Sequence, residues 1–124
     1  MIMEKLIILF SAIITYIIVH IIHELGHFIP SFIFDLEPRF IYSKFYIPCA
    51  VRHFDDNNIF KMIFISISGI LLGFIPIFFF LYIFYYHILG IIFFIFMFVV
   101  YLFACNSDFC NIKNDIKTIN FINT

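Results

Sequence analysis

Charge is scarce in this chain. Lys and Arg together number 7 and Asp and Glu 8 among 124 residues, a charged share of 12%. A soluble domain of this length has too much surface to cover with so few charged side chains. The formal net charge is −1. With no basic tract and no base-stacking module, nothing points to nucleic acid as a partner. Cysteine is also sparse: Cys49, Cys105 and Cys110 are too few and too unevenly placed for a disulfide framework. They read as reduced thiols or apolar fillers. There is no internal repeat and no low-complexity linker. The N-terminal apolar run lacks a small-residue cleavage site soon after its core, so it predicts a retained membrane helix rather than a removed signal.

What the chain has is apolar length. It is 65% hydrophobic and 23% aromatic, with 21 Phe, and its mean hydropathy is +1.13. The size fits one unit, and the composition predicts an all-α integral membrane protein in contact with the lipid bilayer. Three spans are expected, over about residues 6–34, 59–85 and 88–105. The first holds the stretch "HIIHELGH" and Pro30, while "YYHILG" supplies an interfacial turn between the second and third. Between the first two spans, "DLEPRFIYSKFYIPCAVRHFDDNN" begins and ends with charge and carries Pro38 and Pro48. Its interior is rich in β-formers, which predicts a short strand or hairpin at the membrane surface.

Arg39, Lys44, Arg52 and Lys61 lie in or beside this loop, Lys113 and Lys117 lie in the C-terminal tail, and only Lys5 lies on the opposite side. Six basic residues against one predict that loop 35–61 and the C-terminus are cytoplasmic. A helix starting near Leu6 is then close to the cytoplasmic side when it reaches His23 and His27.

In "HELGH", His23 and His27 are four residues apart and share one helix face. Two imidazoles so placed can hold one Zn2+, with Glu24 beside it to take a proton from water. An isolated histidine on an apolar helix is usually packed or interfacial, but ionisable groups inside a span are costly and are functional by default. A catalytic zinc site needs a third protein ligand. Asp108, in "ACNSDFCNI" just beyond the third run, falls on the same membrane side as the histidines. Its ordinary alternative is a helix-capping aspartate. Asp115, about two turns further on, is the weaker candidate. Cys105 and Cys110 flank Asp108 without zinc-finger spacing and read as filler. His20 shares the His23 face as a packing or supporting residue, and His53 and His87 read as interfacial.

These residues resemble the site-2 proteases, a family of intramembrane zinc metalloproteases. "HELGH" is similar to the family's zinc motif, "NSDF" at residues 106–109 to its later aspartate motif, and "SISGILLGF" at residues 66–74 to its middle-helix glycine motif. The order and spacing of all three agree across essentially the whole chain. The pattern departs in two places: Gly69 is followed by Ile70, with Gly73 where the family commonly has Asn, and Phe109 follows the aspartate in place of Gly. The resemblance implies a zinc-dependent endopeptidase that cleaves a membrane-spanning peptide or protein. Zinc would be held by His23, His27 and Asp108, with Glu24 as the catalytic base. It also implies a surface β segment that presents substrate as an extended strand, with residues 40–47 as the receiving edge. A relative that binds zinc and membrane peptides without cleaving them is the alternative. A metal-transporter subunit would predict ionisable residues distributed along the spans, and a metal-free structural or immunity-type membrane protein would make "HELGH" a coincidence.

Overall fold

The computed structural model describes residues 1–42, 48–53 and 57–122. The elements run α1 (Ile2–Ile33), β1 (Arg39–Tyr42), β2 (Pro48–Arg52), α2 (Ile59–Phe84), α3 (Ile88–Ala104) and α4 (Asn106–Ile122). The expected all-α membrane architecture, with a small β segment between the first two long helices, is the one the chain adopts. α1 and α2 are each long and apolar enough to cross a membrane. A third crossing is made when α3 and α4, bent by 46° at their junction, are taken as one broken span.

α1 has 32 residues, about 48 Å at 1.5 Å per residue, well beyond a hydrocarbon core of about 30 Å. Its buried positions Ile8, Ala12, Val19, His23, Gly26, His27 and Pro30 fall along one stripe. α2 answers with Ile65, Gly69, Ile70, Gly73, Pro76, Ile77 and Phe80, and the α1–α2 packing is the most extensive in the molecule. The Asn58 side chain caps α2 by accepting the Phe60 N–H at 3.1 Å. Lipid tails are as apolar as these side chains, so close packing and interhelical hydrogen bonds hold the helices together. Gly26 and Gly69 mark the closest approach: a Cβ on Gly26 would lie 2.7 Å from the Gly69 Cα.

Tyr85, Tyr86 and His87 make the expected turn, with the His87 N–H donating to the Phe84 carbonyl at 3.1 Å. α3 then has 17 residues, about 26 Å of helix. Tyr101 and Cys105 join Val19, Ile70 and Ile77 in a buried cluster towards the hairpin end of the bundle. A second cluster of Ile8, Ala12, Phe80 and Met97 closes the other end.

The surface segment is an antiparallel hairpin pairing Arg39 with Arg52, Phe40 with Val51 and Ile41 with Ala50, with a register shift after Ile41. It leans on α1 through Phe40, whose ring stacks on Phe28 at 4.4 Å between centroids. The C-terminal tail beyond the third span is α4. Asp108, Ile112, Asp115 and Ile119 make its half-buried face, and the other residues from Asn106 to Thr118 are exposed. Lys44 and most of the 40–47 edge lie outside the described residues.

Candidate metal centre

The spacing within α1 stacks the His23 and His27 rings edge to face, with centroids 4.6 Å apart. α4 starts at the bend after Cys105, and its first turn delivers Asp108 to them. His23 Nε2 lies 3.0 Å from Asp108 Oδ2, His27 Nε2 lies 3.3 Å from Asp108 Oδ1, and the two Nε2 atoms are 3.0 Å apart. Among the described residues this is the one group of three or more His, Cys, Asp or Glu side chains whose ligand atoms converge, all within 4.8 Å of one another.

The outer side of each ring settles which nitrogen carries a proton. His27 Nδ1 is 2.9 Å from the Ile65 carbonyl oxygen, which can only accept, so Nδ1 bears the hydrogen. His23 Nδ1 is 2.7 Å from the Tyr101 hydroxyl. That hydroxyl donates to the α2 carbonyls of Ile70 at 2.9 Å and Gly69 at 3.2 Å, so its oxygen accepts from His23 Nδ1–H. Both Nε2 atoms therefore turn their lone pairs towards each other and towards a carboxylate. Such a convergence of electron-pair donors is stable around a proton or a cation. Ligand bonds of about 2.0–2.1 Å in a tetrahedron put neighbouring ligand atoms about 3.3 Å apart. The observed separations are close to that, so the residues fit a zinc-sized cation without moving a helix.

Glu24, next in the chain to His23, is buried and stands outside the converging trio. Its carboxylate accepts the backbone N–H of Val51 and faces a cavity of about 350 Å³ that also contains His23, His27 and Asp108. Ala50 and Val51 of β2 wall this cavity, as do Ser107 and Asn111 of α4. The strand at the site is thus β2, C-terminal to the 40–47 edge that the sequence suggested.

Each other sequence candidate has a place. His20 lines the cavity without joining the trio, its ring edge-on to Tyr16 at 4.6 Å. Asp115 lies further along α4, half-buried and outside the converging group. Cys105 is fully buried, its thiol within hydrogen-bonding reach of His23 and Tyr101, while Cys110 is exposed. His87 precedes α3 at the opposite end of α1, near Glu4 and Lys5.

Sequence reasoning missed Tyr101. The signal available was its position, seven residues before Asp108 and so on the same helical face, as the one hydroxyl in an otherwise apolar third span. The glycines of "SISGILLGF" also acquire a role: a Cβ on Gly69 would overlap the His27 ring, and one on Gly73 would overlap the Tyr101 hydroxyl.

Comparison with protein-family models, curated proteins and solved structures gave no match. The functional reading therefore rests on the site.

Proposed function

We propose that the protein is a zinc-dependent endopeptidase acting on membrane-embedded peptides. The observation that carries this reading is the convergence of two Nε2 lone pairs and the Asp108 carboxylate on a cavity that also holds a buried, non-ligating glutamate. Bound zinc would polarise the scissile carbonyl and acidify the attacking water. The chain's own groups divide the remaining work. His23, His27 and Asp108 hold the cation, and the Ile65 carbonyl and Tyr101 hydroxyl keep the two rings oriented. The Glu24 carboxylate takes the water proton and returns it to the leaving amine. The Val51 N–H holds that carboxylate towards the cavity. β2 supplies backbone along which an unwound substrate segment can pair as an extended strand. The excess of basic residues supports a cytoplasmic position for loop 35–61 and the C-terminus, and with them for the mouth of the site.

The test is Glu24→Gln. The variant is expected to keep its zinc, because the three ligands are untouched. Hydrolysis of a helical membrane peptide should fall by about 10²- to 10⁴-fold, because an amide cannot take the proton. His23→Ala is expected to lose both. Equal cleavage by wild type and Glu24→Gln would remove Glu24 from the mechanism. One observation favours a non-cleaving, peptide-binding relative: where the resembling family commonly has Asn, Gly73 leaves space that the Tyr101 hydroxyl fills. Zinc-loaded wild type that binds such peptides and cleaves none would put that reading ahead.

A further inference from the structure

We infer that Tyr101 is a positioning residue: its hydroxyl fixes the tautomer and direction of His23 and so aims His23 Nε2 at the shared metal point. The inference rests on the reading that His23, His27 and Asp108 hold a metal ion.

A phenol in the apolar interior of a membrane bundle is costly unless its oxygen is fully partnered. Tyr101 is 1% exposed, and its hydroxyl meets elements from two other helices. The Ile70 and Gly69 carbonyls of α2 accept its proton at 2.9 and 3.2 Å. With the proton committed there, the oxygen offers a lone pair to His23 Nδ1 at 2.7 Å. The Phe74 ring stands edge-on to the Tyr101 ring at 4.9 Å. A rigid ring seated in this way gives its hydroxyl one position. Gly73 completes the seat, because a side chain there would occupy the place of the hydroxyl.

The directional chain runs from α2 carbonyls, through Tyr101, to His23 Nδ1–H and out through Nε2 to the metal point. Metal-ligating histidines generally have such a partner on the far nitrogen, and its loss weakens metal binding. His27 is oriented separately by the Ile65 carbonyl, so the two ligand rings have independent supports. The hydroxyl touches no part of the trio's metal-facing side, which makes its role orientation rather than chemistry on substrate.

Tyr101→Phe tests this, since it keeps the ring and deletes only the oxygen. In the full chain in detergent, zinc affinity is measured by chelator competition, and the His23 Nδ1–H signal is followed by NMR on metal-free, ¹⁵N-histidine-labelled protein. The variant should remain folded, bind zinc about 10- to 100-fold more weakly and lose the slowly exchanging His23 Nδ1–H signal. Phe98→Leu, which trims the same aromatic cluster without touching a histidine, should change neither reading. Unaltered zinc affinity in Tyr101→Phe overturns the inference, as does an equal loss in Phe98→Leu, which would make the effect one of packing. Wild type that binds no zinc overturns the metal reading alone. The presence of the His23 signal in wild type and its loss in Tyr101→Phe would still uphold the hydroxyl's hold on His23, and persistence of the signal in the variant would overturn it.

Discussion

At the scale of single residues, two glycines on α2 are shaped by what stands opposite them. Gly69 faces the His27 ring and Gly73 the Tyr101 hydroxyl, so the smallest residues lie beside the candidate site. Gly69→Ala is therefore expected to push the His27 ring off the shared point and to lower zinc content while the protein still folds. Zinc per chain in the purified variant checks this, and full occupancy would contradict it. Gly26→Ala drives a methyl against the Gly69 backbone and is expected to destabilise the bundle by about 1–3 kcal/mol, read as a lower thermal midpoint in detergent. The histidine pair was legible in the sequence because helical spacing alone puts residues four apart on one face. Tyr101 stood out only as the one hydroxyl of an apolar span; its contact with His23 needs the space at Gly73 on another helix, which only tertiary packing provides.

At the scale of elements, the order of helices and the surface hairpin could be read from apolar runs and β-formers. The hairpin strand at the site could not. Which strand lines the site is decided by how the hairpin folds back, with Phe40 of β1 stacked on Phe28 of α1 and Ala50 and Val51 of β2 lining the cavity. α4 was read only as a polar tail, although Phe109, Ile112, Ile116 and Ile119 recur at helical spacing. Its first turn brings Asp108 to the histidines, and the later Asp115 is left outside the cluster. Asp108→Asn should accordingly lose most bound zinc and Asp115→Asn should keep it; the reverse result would move the third ligand along α4. For β2, Val51→Pro removes the N–H that holds Glu24. Zinc should be retained and cleavage reduced, and unchanged cleavage would separate β2 from the positioning of Glu24.

At the scale of the whole molecule, the asymmetry of basic residues predicts an orientation for the bundle. A reporter fused after Thr124 that is active only outside the cytoplasm is expected to stay silent, and robust activity would invert the topology. The lengths of the helices carry a further consequence. α3, at about 26 Å, is shorter than a hydrocarbon core of about 30 Å, whereas α1 greatly exceeds it. Up to the bend, α3 alone thus falls short of the core while α1 overshoots it, and a bilayer beside α3 meets this mismatch by thinning. The bend to α4 lies at that flank, with Asp108 just beyond it, so thinning draws headgroups and water towards the cavity mouth. On the proposed endopeptidase reading, lipid thickness then becomes a control on turnover. Reconstitution in shorter-chain lipids should raise the cleavage rate at constant zinc occupancy, and a rate indifferent to acyl length would show that water reaches the site by another route.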